Sequence, residues 1–427
     1  MNLKIRLTIL SFLEFAIWGA YLTSMSRYLE TAGLSAQIPY FFSIQGIVSL
    51  FMPALMGIVA DRWLEARKVL SLCQMLAGLA MLGVACYGNA AGHSASFAII
   101  FSLYTLSLSF YMPTIALSNS VAFAALEGAG QDTVKAFPPI RVFGTVGFII
   151  TMLIVDWSGL QDKPWQFAVS GCLSLVMALY ALTLPAMPID KSKPATSLYE
   201  ALGLKAFSLF RDRRMAIFFI FSILLGSALQ ITNGYANPFI RSFGADEAFA
   251  DTFGVNHANT LISLSQVSET LCFLLIPFFL KRFGIKVVML TSMMAWVLRF
   301  ALFAVGDPGF PGVILLMLSM IVYGIAFDFF NISGSLFVDQ ETDINIRSSA
   351  QGLFMMMNNG LGAAIGMLLA GKVVNHFTHP EMIDGNFYTL GNWSACWWIF
   401  SSYILVVAVL FALFFNYKHN PQKSAAE

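Results

Sequence analysis

Apolar residues along this chain come in long blocks, not in strict alternation and not in one-sided stripes. A segment that crosses a bilayer as a helix needs roughly 20 mostly apolar residues. Blocks of that kind lie at 7–28, 40–60, 69–88, 95–122, 134–156, 165–186, 214–239, 259–281, 285–305, 311–337, 347–371 and 394–416, which predicts twelve spanning helices. Polar residues fill only the gaps, so no stretch remains for a soluble domain. The longest gap, 187–213, divides the spans six and six. The expected organisation is a six-helix half at 1–186, a linker at 187–213 and a second six-helix half at 214–427 with a short polar tail.

Composition agrees with lipid as the solvent. Of 427 residues, 58% are hydrophobic and 11% charged, against about 25% charged in soluble chains. The net charge of +1 leaves no basic excess for a nucleic-acid-binding face and excludes disorder driven by charge. Where the charges sit matters more than their number. With the N-terminus inside, cytoplasmic segments hold Lys4, Arg6, Arg62, Arg67, Lys68, Lys135, the six basic residues between Lys191 and Arg214, Lys281, Arg282, Lys286, Arg347, Lys418 and Lys423. The opposite side keeps Arg27, Lys163, Arg241 and Lys372. Basic residues favour the cytoplasmic side, so both termini are expected there.

The five cysteines are odd in number, lie in or beside apolar runs and form no CxxC pair. Buried thiols are expected, with neither a disulfide framework nor a zinc site. The basic start, Met1 to Arg6, leads into a run long enough to span, without a small-residue cleavage site. It reads as a retained first helix, not a removed signal peptide.

The halves echo each other. Gly57-Ile-Val-Ala-Asp61-Arg62, then Arg67-Lys68, follows the second span; Lys281-Arg282-Phe283-Gly284, then Lys286, follows the eighth. Two six-helix halves with matching basic turns indicate a major facilitator transporter, whose parallel repeats rock about a midplane site. The Gly57-to-Arg62 element resembles that superfamily's signature loop, and its expected role is to lock neighbouring helix ends. Gly360-Leu-Gly362-Ala-Ala-Ile-Gly366 follows no strand, so close helix packing is the better reading than nucleotide binding.

Five charges fall inside spans: Glu14, Arg141, Glu269, Arg299 and Asp328. Intramembrane charges are functional candidates by default; the alternative is a pair that only joins helices. Glu14, Trp18 and Tyr21 share a face of the first span, and Arg141, Thr145 and Phe148 a face of the fifth, behind Pro138 and Pro139. These prolines are expected to kink that span or open its first turn. Gln230 and Asn233 lie one turn apart in the seventh span, as do Gln266 and Glu269 in the eighth. Amides and a carboxyl offer donors and acceptors, suiting a ligand with imide, carbonyl and hydroxyl groups. The tenth span carries Tyr323 and Phe327 on one face and Asp328 and Asn331 on another; flat rings stack on flat ligands. Arg299 reads as a snorkelling or structural residue.

The strings Phe-Pro-Pro-Ile-Arg141-Val-Phe-Gly-Thr145-Val-Gly-Phe148, Leu-Gln230-Ile-Thr-Asn233, Ser-Gln266-Val-Ser-Glu269 and Val-Tyr323-Gly-Ile-Ala-Phe327-Asp328-Phe-Phe-Asn331 resemble the bacterial nucleoside:proton symporter family, along essentially the whole chain. The resemblance implies a nucleoside site between the halves. Arg141, Thr145 and Phe148 would face it from the first half, and Gln230, Asn233, Gln266, Glu269, Tyr323 and Phe327 from the second. Asp328 matches a family position required for activity. The chain departs from the family at Glu14, where several close members carry Gln; Glu14 is then a weaker proton-carrier candidate, or coupling differs here.

The expected function is proton-coupled import of nucleosides across the bacterial inner membrane. Asp328, Glu269 and Glu14 are the candidate proton carriers, and the proton gradient is the driving force in place of a cofactor. No metal site, nucleic acid or obligate protein partner is expected. A sugar or oligosaccharide:proton symporter is the nearest alternative. An intramembrane enzyme is disfavoured because the five histidines sit in predicted loops or the tail, away from any nucleophile or metal cluster. A sensor without transport is disfavoured because there is no output domain.

Overall fold

The computed structural model describes residues 2–186, 204–343, 346–383 and 385–417. Linker residues 187–203, with Asp190, Lys191 and Lys193, the side chain of Lys205, and tail residues 418–427, with Lys418 and Lys423, lie outside the described residues. The chain divides into two compact units, Met1–Leu202 and Gly203–Glu427. Among the described residues, ten helices are long and apolar enough to cross a membrane.

The first unit comprises α1 (Leu3–Gly19), α2 (Met25–Thr31), α3 (Ile38–Arg62), α4 (Ala66–Ala91), α5 (Phe97–Gly128), α6 (Thr133–Trp157) and α7 (Trp165–Thr183). The first predicted span is therefore interrupted, with α1 ending at Gly19 and α2 resuming at Met25. α1 packs along α6, and glycine makes that close approach possible. A Cβ on Gly147 would strike the carbonyl oxygen of Phe12, and one on Gly19 would strike that of Phe148. Small residues at such contacts let helix backbones meet in a membrane, where apolar burial alone gives no driving force. Outward-facing apolar side chains such as Leu79, Ile154 and Leu179 stay exposed, as lipid contact requires.

Pro138 and Pro139 neither open nor end the fifth predicted span. α6 starts at Thr133 and runs through both, although each lacks the backbone donor that an interior helical position normally supplies. Arg141 is consequently seated within the helix. Close to the Asp61–Arg62 element, Arg67 ties the start of α4 to the end of α7. It donates from its guanidinium to the carbonyl oxygens of Leu184 at 2.7 Å and Leu182 at 3.2 Å. Glu65 orients it from 2.9 Å, and the neighbouring Lys68 and Arg67 hold the Glu65 carboxyl below the usual carboxylate range.

The second unit begins with a 3₁₀ segment, Leu204–Arg211, followed by α8 (Arg213–Leu225), α9 (Ser227–Ser242), α10 (Ala258–Val305) and α11 (Gly312–Glu341). Then come α12 (Arg347–Met355), a π-helical turn (Met356–Gly362) and α13 (Ala363–Phe377). A hairpin of β1 (Thr378–Ile383) and β2 (Asn386–Gly391) leads to α14 (Trp393–Phe414). The 48 residues of α10 hold two predicted spans, broken at Gly284, whose φ of 77° and ψ of 168° are not helical. A positive φ is cheap only for glycine, so the chain turns there without a loop. α10 and α11 form the most extensive helix pairing of the unit.

The hairpin was not expected. Its strands pair antiparallel from Thr378 opposite Gly391 to Ile383 opposite Asn386. β1, Thr-His-Pro-Glu-Met-Ile, is mostly exposed and has no buried face. It therefore writes no period-two apolar pattern into the sequence.

Candidate functional site

In the first unit the polar centre is Glu14 on α1, which is completely buried. Its Oε1 accepts from the Thr114 hydroxyl at 2.6 Å and its Oε2 from Gln74 Nε2 at 3.2 Å. The Gln74 amide also donates to Thr114 Oγ1 at 3.0 Å. On its other side, Gln74 Oε1 accepts from Ser174. Tyr111 donates to the backbone carbonyl of Glu14 at 2.7 Å. Three helices thus meet at one carboxyl, α1, α4 and α5, and α7 joins them through Gln74. α6 adds Arg141, whose guanidinium lies 3.9 Å from the centre of the Phe15 ring and acts electrostatically on Glu14 and Tyr111.

Trp18, one turn after Glu14, meets Tyr111 at 6.2 Å and the edge of Phe148 at 6.5 Å between ring centres. Glu14, Trp18, Arg141 and Phe148 are therefore brought together within this unit. Thr145 is half-buried on α6, one turn beyond Arg141. Tyr21 leaves the group and packs against Tyr104 and Phe167. The sequence reading missed Gln74, Thr114 and Ser174. A lone amide in an otherwise apolar block was the available signal for Gln74. Thr114 and Ser174 had none, since hydroxyls in spans commonly bond to their own helix.

In the second unit the centre is Tyr323 on α11. Its ring lies nearly parallel to that of Phe327, 5.7 Å apart at an angle of 4°. Gln266, Glu269, Arg299 and Asp328 all lie close enough to act on its hydroxyl. Asp328 is buried, and its Oδ2 has no hydrogen-bond partner. An ionised carboxylate is costly in such surroundings, and binding a proton relieves that cost. Gln230 is buried on α9 with Oε1 unpartnered, and Asn233 is half-buried one turn on. Tyr323, Phe327, Gln266, Glu269 and Asp328 are assembled around one ring.

Arg299 does not snorkel. It is 1% exposed, donates to the Ser319 carbonyl oxygen at 2.7 Å and lies over the Tyr323 ring at 4.8 Å. Ser265 also accepts from it, at 3.3 Å. A guanidinium is more weakly hydrated than an ammonium and stacks on aromatic faces, which lets it pack behind Tyr323.

A part-open cleft lies in the second unit, lined by Trp296, Phe327, Phe330, Asn331, Asn358 and Asn359 among others. Of the predicted binding residues, Phe327 lines it. Among the described residues no cluster of His, Cys, Asp and Glu suited to a metal ion occurs.

Comparison with known proteins bears on these two clusters. The family described as Nucleoside H+ symporter matches residues 1–420. The chain is 47% identical to the xanthosine permease of Escherichia coli (strain K12) over 425 residues, 99% of this chain and 98% of that protein. It is also 47% identical to the nucleoside permease NupG of the same organism over 422 residues, covering 98% and 97%. The crystal structure of the nucleoside transporter NupG matches with a TM-score of 0.88 at 46% identity, covering 98% of this chain and 100% of that one.

Proposed function

The chain belongs to the nucleoside H+ symporter family, and we propose that it imports nucleosides with protons across the bacterial inner membrane by alternating access. It is a multi-pass membrane transporter, not an enzyme. The finer architecture belongs to the same proposal: twelve spanning helices in two parallel major facilitator repeats, both termini cytoplasmic. The break at Gly284 supports two spans within α10, and the basic bias of the predicted cytoplasmic segments supports the orientation.

The observation that carries the reading is the assembly around Tyr323. A stacked ring pair for the base, an amide and a carboxyl for polar edges, and a second buried carboxyl with an unpartnered oxygen stand together. In this proposal Gln230, Asn233, Gln266 and Glu269 hold base edges and ribose hydroxyls, while Tyr323 and Phe327 flank the base. Arg141, Thr145 and Phe148 contact substrate from the first unit. Asp328 carries the coupling proton, with Glu269 and Glu14 as the other candidates. No cofactor takes part; one charge moving through 100 mV yields about 2.3 kcal/mol, enough for roughly fifty-fold accumulation.

Uptake of radiolabelled uridine into proteoliposomes with and without an imposed proton gradient tests this, alongside counterflow. Asp328→Asn and Glu269→Gln should each permit counterflow, and at least one should lose accumulation. If both still concentrate nucleoside, neither carboxyl carries the essential proton. Competition by sugars without effect excludes the sugar alternative.

A further inference from the structure

The cleft beside Phe327 contains a chain of three side-chain amides. Asn358 stands in the middle: its Nδ2 donates to Asn331 Oδ1 at 2.9 Å and to Asn359 Oδ1 at 3.1 Å. Asn331 Nδ2 donates to the Phe327 carbonyl oxygen at 2.9 Å. Asn359 Nδ2 reaches only the thioether of Met355, at 3.4 Å, a weak acceptor.

Each amide has two N–H donors and one carbonyl acceptor. Asn358 spends both hydrogens on its neighbours, and its Oδ1 receives no donor from the described residues. Asn331 has one N–H left over, and Asn359 has one free and one weakly held. The groups still available along the chain are a donor, an acceptor and a donor.

The backbone holds this order in place. Asn358 and Asn359 sit on the π-helical turn Met356–Gly362, a feature that occurs mostly as single turns at functional sites. Its carbonyl at Asn358 presses so close to Gly226 that a Cβ there would strike it. Gly226 is also where α8 gives way to α9. Rings of Trp296, Phe327 and Phe330 supply the rest of the lining.

We propose that Asn331, Asn358 and Asn359 select the nucleobase, and that they favour a base with an imide edge. This rests on the nucleoside reading above. An imide presents carbonyl, N–H and carbonyl in sequence, the complement of donor, acceptor and donor. Uracil and the dioxopurine ring carry such an edge. Cytosine and adenine turn an exocyclic amino donor toward an amide donor, leaving both hydrogens unpaired.

Uridine and cytidine differ at this edge and share the ribose, so they isolate the base. Uptake of each into proteoliposomes holding the wild type gives the ratio of kcat/KM. A ratio favouring uridine by roughly tenfold or more is expected, the discrimination of a well-placed amide contact to a base edge. Asn359 is exposed, so Asn359→Asp is expected to fold; it removes the terminal donor and should reduce or invert the ratio. Equal uptake of uridine and cytidine by the wild type overturns the proposal. So does an unchanged ratio in Asn359→Asp, while transport itself still upholds the nucleoside reading. Should that variant not fold, the wild-type ratio decides. A wild type that moves neither nucleoside overturns both readings together.

Discussion

Thr114 Oγ1 stands 2.6 Å from Glu14 Oε1 and 2.6 Å from the carbonyl oxygen of Tyr111, one turn back on its own helix. A hydroxyl carries one hydrogen, so Thr114 can serve one of these acceptors at a time. An ionised Glu14 needs that hydrogen. A protonated Glu14 supplies its own, and Thr114 is then released to Tyr111. Arg141 on α6 acts electrostatically on this carboxyl, which in turn acts on Cys73 of α4 and Tyr111 of α5.

Thr114→Val keeps the shape and removes the hydroxyl. Glu14 and Gln74 then lose the partner they share in a buried site, where an unsatisfied polar group costs about 1–3 kcal/mol. The purified variant should melt at a lower temperature than the wild type in detergent, and Thr114→Ser should restore most of the difference.

Glu14→Gln fixes the site in a form that mimics the protonated acid, because its amide can donate to Thr114 as the acid would. Counterflow and proton-driven uptake are both expected to survive, since the proposal puts the coupling proton on Asp328. Abolished accumulation with intact counterflow would instead assign the proton to Glu14. The pH profile of uptake is the second readout, and it should change shape in this variant if Glu14 titrates during transport.

Phe327→Ala removes the ring that stacks on Tyr323 at an angle of 4°. Stacking of a base on an aromatic side chain is worth about 1–3 kcal/mol by alanine substitution. Nucleoside binding measured by calorimetry should weaken by an amount in that range, whereas Phe327→Tyr should bind nearly as well as the wild type.

Arg299→Lys keeps the charge but loses the planar fork that reaches the Ser319 carbonyl oxygen and covers Tyr323. A hydrogen bond to a charged group contributes about 1.5–3 kcal/mol. Thermal stability should fall by a comparable amount, and KM for nucleoside should rise as Tyr323 loses its backing. An unchanged KM together with lowered stability would make Arg299 a packing residue alone.

Apolar patterning alone established the membrane class, the approximate extent of most of the long apolar helices and the charge-bearing positions within them. Lipid imposes that legibility: every spanning segment must satisfy its own backbone and stay apolar for about 20 residues, so a departure such as Glu14 or Asp328 stands out in one dimension. Tertiary structure decided which departures meet. Thr114, Gln74 and Asn358 look ordinary in sequence, because a hydroxyl or amide in a span can bond to its own helix or to a neighbour with the same composition. Only the packing of α4, α5 and α7 around α1 makes Thr114 and Gln74 partners of Glu14. Only the π-helical turn against Gly226 places Asn358 beside Asn331. Arg299 shows the same limit from the other side: its charge was legible, but its burial behind Tyr323 depends on how α10 folds against α11.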